Sequence, residues 1–330
     1  MEQGICDVSI IIPVYNVQAF FDKCICSVLE QTLQSIEIIL VDDGSTDQSG
    51  ILCDAYAARD ERIKVIHIQN GGPARARNQG IQLARGKYIG FVDADDYVAP
   101  QMFECLYKLV EQTDSDIAIC GYSIEIAGDV YPVKMDFVPL YSGKEEIKEQ
   151  LIQRYYTGNN SGLYSMWNKL FRRSFLVSNN LKIDEALRRG EDAWFVFDCL
   201  KTADIVCYLP KELYFYCQNT MSIMHTLSLD QYEKWAYSRN RLLEENTHLN
   251  FRIDLDSFYR DFLYKTVNFC REMLRRNEFD FVKSIFEDPT FTRAIPYRRK
   301  LPSHVRLLLW LTQKKYYNTA IIAYRIWGLR

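Results

Sequence analysis

The sequence predicts an α/β protein: a doubly wound, mostly parallel sheet, followed by a mainly helical C-terminal region. Three observations carry this. Five apolar runs rich in β-branched residues recur within residues 1–122. Stretches with helical spacing separate them, and strand-helix alternation of this kind builds a parallel sheet covered on both faces. From residue 228 onward the pattern is helical throughout.

The elements follow in order. VSIIIPVY (8–15) is the first buried strand, and residues 17–33 form a helix with Phe20, Phe21, Cys24, Val28 and Leu29 near helical spacing. IEIILVDD (36–43) is the second strand. Ser45, Thr46 and Asp47 are N-cap candidates for a helix to residue 58. IKVIHI (63–68) is the third strand, 73–85 a helix, and YIGFVD (88–93) the fourth strand. Pro100 opens a helix to residue 112 at the favoured first-turn position, and IAICGY (117–122) is the fifth strand. Residues 123–190 are less regular, with some strand and loop. Residues 191–201 are helical, and further helices span 228–249, 254–277, 278–287 and 303–326.

Sheets of this kind bind ligands beyond the carboxyl ends of their strands. Asn16 follows the first strand, Asp42 and Asp43 end the second, Asn70 follows the third and Asp93 ends the fourth. Four strand ends therefore aim polar groups at one crevice.

Composition narrows the class. The chain has 330 residues, 48% hydrophobic and 25% charged, as soluble globular proteins do. Its ten cysteines are scattered without a CxxC pair, which fits reduced thiols better than a zinc site or a disulfide framework. The N-terminus lacks a basic segment ahead of its apolar run, and no run approaches the ~20 residues of a membrane span. A cytoplasmic protein, or one held at the inner face of a membrane, is expected. The nine Lys/Arg that follow Asp288 leave −12 on the remainder of a chain whose net charge is −3. Such asymmetry predicts a basic tail with a partner of its own.

DADD (93–96) packs carboxylates that repel one another unless a cation neutralises them, and oxygen ligands of this kind suit Mg²⁺ or Mn²⁺. Taken alone it also reads as the acidic start of the helix behind Pro100. VDDGSTD (41–47) is a strand, two acids and a turn. It reads as a plain strand-to-helix connection or as acceptors for a base or ribose. NGGPARARNQG (70–80) is not GxGxxG, so a dinucleotide fold is poorly supported. Arg75 and Arg77 point different ways on its helix, and one of them would face a phosphate or sugar. GEDAWF (190–195) places Glu191 and Asp192 in a first helical turn. They read as ordinary first-turn acids or as a base for a hydroxyl proton.

These segments, with WNKLF (167–171), occur in an order and spacing that resembles family 2 of the inverting glycosyltransferases. The nearest flavour is the bacterial enzymes of capsule, O-antigen and exopolysaccharide synthesis. The resemblance covers residues 8–195 and little of the C-terminal third. It implies the GT-A fold, a Rossmann-like sheet, with a catalytic domain over 1–225 and a helical region with a basic amphipathic tail over 226–330. Within the catalytic domain, 1–122 would be the nucleotide-sugar half and 123–225 the acceptor half.

The resemblance also implies roles. Pro13 and Tyr15 would line the base pocket, Asp42 would contact the base with Asp43 beside it, and Arg77 and Asn78 would lie close to the donor. Asp95 would ligate Mn²⁺ or Mg²⁺, with Asp93 holding ribose or metal-bound water. Asp192 would be the catalytic base, with Glu191 its neighbour. The donor would be a nucleotide-diphosphate sugar, by family habit a UDP-sugar. The acceptor would be a saccharide, with a polyprenyl diphosphate as the candidate carrier. Arg75 has no assigned role. Ser222 and His225, in a weak version of the donor-closing region, are as readily structural as diphosphate ligands.

Residues 289–330 mix the nine basic residues with Trp310, Tyr316, Tyr317, Tyr324 and Trp327. That mixture suits an anionic membrane surface, or a helix packed on the protein with a solvated basic face. Nucleic-acid binding finds no support beside the active-site pattern. Two other functions compete: a catalytically silent GT-A module, which has no need of DADD and GED, and a nucleotidyltransferase, which would need a Gly-rich phosphate loop where PVYNVQAF stands.

Overall fold

The computed structural model describes residues 6–157, 162–187, 190–218 and 230–327, and the chain divides into two compact units. The first comprises residues 1–152 and 160–223, the second 153–159 and 224–330.

The first unit is built on strands β1 (Val8–Val14), β2 (Ile36–Asp42), β3 (Ile63–His67), β4 (Tyr88–Phe91), β5 (Tyr97–Val98), β6 (Ile117–Ile126), β7 (Asp129–Pro132), β8 (Leu140–Ser142), β9 (Lys169–Arg172) and β10 (Ile205–Cys217). They form one sheet in the order β3-β2-β1-β4-β9-β6-β10-β5, with β7 on β6 and β8 on β10. The five strands read from periodicity are β1, β2, β3, β4 and β6. Strands β3, β2, β1 and β4 are mutually parallel, as continuous apolar runs require, and Ile10, Ile12, Ile38 and Leu40 are fully buried. Short β9 enters antiparallel to both β4 and β6, inside the stretch that looked irregular. It is only KLFR, too short for alternation to show.

Helices α1 (Phe21–Leu29), α2 (Ser49–Ala57), α3 (Pro73–Leu83), α4 (Met102–Thr113), α5 (Lys144–Ile147), α7 (Arg173–Ser178) and α8 (Glu191–Thr202) accompany the sheet. Helix α1 buries Phe21, Cys24, Ile25 and Val28, one face at helical spacing, and is shorter than 17–33. Helix α4 begins two residues after Pro100, which therefore precedes the helix and is not its first turn. Helix α2 has Gln48 at its N-cap. Asp47 instead accepts from Ser49 N at 2.9 Å and Gln18 N at 3.2 Å, so it ties two loops together. Helix α3 lies so near β1 that a Cβ on Gly80 would collide with Ile11 Cγ2, which makes this glycine a packing requirement.

Register places the site. Val14 pairs with Asp42, and Asp42 with His67, so the carboxyl ends of β1, β2 and β3 finish in one row. Asn16, in left-handed backbone (φ 52°), accepts from Thr46 N at 2.8 Å and locks the loop after β1 to the loop after β2.

The second unit is helical: α6 (Gln153–Thr157), α9 (Asp230–Leu249), α10 (Leu255–Arg275), α11 (Phe279–Glu287), α12 (Pro289–Ala294), α13 (Ser303–Gln313) and α14 (Tyr317–Trp327). Asp254 caps α10 through Asp256 N and Ser257 N, and Phe258, Phe262, Val267 and Leu274 bury its inner face. The single helix expected over 303–326 is two. Helix α13 stops in a Schellman-type turn, with Lys315 left-handed (φ 60°) and Tyr316 N bonded to Leu311 O at 3.0 Å. No glycine marks this break, so the sequence does not announce it. Val305, Leu308, Leu309 and Thr312 pack inward, while Leu307, Trp310, Tyr316 and Ile322 are exposed. No helix among the described residues is long and apolar enough to cross a membrane. All ten cysteines are free.

Candidate active site

The two acids that end β2 are loop builders. Asp42 is 5% exposed; its Oδ1 accepts from Ser45 N at 3.0 Å and its Oδ2 meets His67 Nδ1 at 2.7 Å. Burial raises its pKa, but the Ser45 and His67 hydrogen bonds outweigh it and hold the carboxyl below the usual range. Asp43 is 3% exposed and grips Gly71 N with Oδ1 and Gly72 N with Oδ2, each at 2.8 Å. It therefore satisfies amides at the entry to α3 from a distant loop. The resemblance implies that Asp42 contacts the base with Asp43 beside it; both carboxylates also accept from protein donors and are nearly buried.

Asn78 is tied to the protein as well. Its Oδ1 accepts from Ile183 N at 3.0 Å, and its Nδ2 donates to Ile183 O at 2.8 Å and Glu185 Oε1 at 2.9 Å. Both donors are used in holding residues 183–185, and Oδ1 keeps one acceptor lone pair. Tyr15 and Pro13 remain available. Tyr15 is 47% exposed just beyond β1, and Pro13 is half-buried in the strand.

Arg77 stands at the centre of the site. Its Nη2 donates to Asp93 Oδ1 at 2.6 Å and its Nη1 to Glu191 Oε1 at 3.2 Å, while its buried Nε has no partner. Burial opposes its charge, but Asp93, Glu191 and Asp192 prevail and raise its pKa. The neighbouring Arg75 folds back against Gly71.

The DADD carboxylates take three different states. Asp93 uses one oxygen on Arg77. Asp96 is buried, accepting from Tyr214 Oη at 2.6 Å and Cys217 N at 2.8 Å, so it fastens β10 to this loop. Asp95 has no side-chain partner among the described residues. Burial, then the charge of Asp93, pushes its carboxyl up to about 6. Glu191 is raised too, by burial against the pull of Arg77. Glu191 and Asp192 open α8 behind Gly190, which is left-handed at φ 77°. The Arg77 guanidinium thus bonds Asp93 and Glu191, and its charge also acts on Asp95 and Asp192.

This donor set fits a divalent cation. Among the described residues, no group of three or more His, Cys, Asp or Glu could hold a metal alone. Yet a half-buried carboxylate without a partner, next to a second one, supplies the one or two protein oxygens that Mg²⁺ or Mn²⁺ takes beside phosphates.

Three contributors were missed by sequence reasoning. Tyr214 joins the Asp93 amide to Asp96 and stacks on Trp167, with centroids 4.2 Å apart. Lys169, fully buried, donates to Gly162 O, Ser165 O and Asn168 Oδ1 at 2.9, 2.6 and 2.8 Å, and burial pulls its pKa down to about 7. Glu185 receives Asn78. Only Lys169 left a trace, within WNKLF. Ser222, His225 and the residues before Gly190 lie outside the described residues.

A doubly wound sheet with carboxylates and one arginine gathered at its carboxyl rim defines a glycosyltransferase of the GT-A fold. The chain belongs to glycosyl transferase family 2, whose model matches residues 9–177. It is 43% identical over 218 residues to the uncharacterized glycosyltransferase EpsJ of Bacillus subtilis, covering 66% of this chain and 62% of that one. It is 30% identical over 328 residues to EpsH of Bacillus subtilis, named as a glycosyltransferase, covering 96% and 93%. S. aureus TarS 1–349 in complex with UDP shares the fold at TM-score 0.66 and 21% identity, over 97% of this chain and 91% of that one.

Proposed function

We propose that this chain is an inverting, metal-dependent transferase that moves a sugar from a nucleoside-diphosphate donor to an acceptor hydroxyl. The observation that carries the reading is the half-buried Asp95 carboxylate, which has no side-chain partner among the described residues and stands beside Asp93 and its Arg77 partner. A carboxylate held in this way suits a donor that arrives with a cation.

Asp95 would hold the divalent cation, with Asp93 beside it. When bound, such an ion neutralises the charge that grows on the leaving diphosphate. Tyr15 offers an exposed ring for the nucleobase, and Pro13 stands two residues before it in β1. The UDP in the TarS structure makes a uridine nucleotide the first donor to test. Arg77 holds Asp93 and Glu191 in fixed positions, so the donor loop and the start of α8 keep one geometry. Asp192 takes the proton of the acceptor hydroxyl as that oxygen bonds to the anomeric carbon. The bond from that carbon to the diphosphate oxygen breaks on the opposite face, and configuration inverts.

The acceptor proposed is a saccharide on a polyprenyl diphosphate at the inner face of a membrane. The exposed Leu307, Trp310 and Tyr316, among Arg306, Lys314 and Lys315, give the second unit an apolar and basic surface suited to anionic lipid.

The test is nucleoside diphosphate release from a panel of nucleotide-sugars with Mn²⁺ or Mg²⁺, with and without EDTA, beside Asp192→Asn and Asp95→Ala. Metal-dependent release from one donor, lost in both variants, is expected. With no release, calorimetry reports whether a donor binds; a folded, metal-supplied protein that binds none would end the enzyme reading in favour of a silent module.

A further inference from the structure

A second cavity lies in the first unit, on the side of α3 that carries Asn78, Ile81 and Gln82. It measures about 350 Å³ and is completed by α7 and residues 180–185. That volume is within the range of small-molecule sites, roughly 300–1,000 Å³. Ile81, Leu176, Val177 and Leu181 supply an apolar lining.

Its charges are unbalanced. Arg173, the first residue after β9, lines the cavity without an ion pair or a side-chain hydrogen bond among the described residues, and its buried Nε has no acceptor among them. A buried guanidinium nitrogen without an acceptor costs free energy that a ligand oxygen would recover. Lys182, exposed at the mouth, also has no ion pair. The acid of the lining, Glu185, already accepts from Asn78 Nδ2 at 2.9 Å and makes no ion pair with either cation.

We propose that this cavity binds a phosphate monoester on a short apolar body. Arg173 and Lys182 outweigh the one carboxylate of Glu185, so the lining is net positive and suits an anion. The guanidinium fork suits phosphate oxygens, and the aliphatic lining takes the body. No step of sugar transfer uses Arg173 or Lys182, so the site stands apart from the catalytic crevice. It is nevertheless wired to it. Asn78 touches the cavity and holds Ile183 at both its amide and its carbonyl, and it follows Arg77 in the chain. Occupancy therefore restrains the segment that leads toward Glu191 and Asp192, which makes the ligand a regulator of transfer.

The probe is n-hexyl phosphate, titrated calorimetrically into the full-length chain, with inorganic phosphate and n-hexanol as separate arms. Hexyl phosphate is expected to bind at least tenfold more tightly than either. Lys182→Gln and Arg173→Gln, each checked for an unchanged melting profile, are expected to weaken it at least tenfold, and saturating UDP is expected not to displace it. Slower exchange of the Ile183 amide on binding is expected as well. Equal affinity for hexanol, undiminished binding by Lys182→Gln, or displacement by UDP would each overturn the assignment.

Discussion

Arg77 Nη2 lies 2.6 Å from Asp93 Oδ1, and the same guanidinium reaches Glu191 at 3.2 Å, so one side chain joins the donor loop to the helix that carries the proposed base. Removing it strands the buried Glu191 carboxylate and the half-buried Asp93. Arg77→Ala is expected to cost about 3–5 kcal/mol, the loss typical of breaking a buried pair. Arg77→Lys keeps the charge but cannot fork between the two acids. It is expected to fold and to lose turnover more than donor affinity, read by comparing kcat with the calorimetric donor Kd.

Asp95 sets a pH dependence. Its carboxyl is raised from 3.8 to about 6 by burial and Asp93, so the folded, metal-free protein holds a proton there that the unfolded chain releases. That contribution to stability is fully present below 3.8 and is lost as pH rises through about 6. Asp95→Asn removes the charge, so thermal melts in EDTA at alkaline pH are expected to show the variant more stable than the parent. Binding of Mn²⁺ in the presence of UDP is expected to weaken in the parent as pH falls below about 6, and to be absent in the variant.

His67 is held by Asp42 at 2.7 Å and Asp54 at 3.1 Å, and these hydrogen bonds raise its pKa above 6.5. Its stabilising contribution is present below 6.5 and is lost as pH rises through the raised value. An NMR titration of the imidazole is expected to give a midpoint above 6.5. The melting difference between parent and His67→Gln should shrink as the solution turns alkaline; a difference that grows would contradict the clamp.

Asn78→Ala deletes both hydrogen bonds to Ile183 and the one to Glu185. A loss of about 1–3 kcal/mol is expected for the buried groups left unpaired. Because the side chain is bonded to Ile183 and Glu185, acceptor-dependent turnover is expected to fall while the donor Kd stays nearly constant. A donor Kd that rises in step with the turnover loss would return Asn78 to the donor pocket.

Much of the fold was legible because periodicity is local. The apolar runs of β1 to β4 and β6 announce burial on both faces, and the helical spacing after residue 228 survives as α9 to α11. The antiparallel insertion of β9 was not legible. Four residues carry no period, and their place between β4 and β6 depends on partners far away in the chain. The break between α13 and α14 escaped because its left-handed residue is a lysine, not a glycine.

By itself, the sequence determined which carboxylates end which strands and that they would share one rim, since strand and turn positions follow from neighbouring residues. Only the tertiary structure decided what each one does. Asp42, Asp43 and Asp96 accept from His67, the Gly71–Gly72 amides, Tyr214 and Cys217, whereas Asp95 has no side-chain partner among the described residues. The physical reason is that a carboxylate's role depends on which donors the folded chain brings within about 3 Å of it. In the chain, Arg77 and Glu191 are 114 residues apart; in the fold, they share a hydrogen bond.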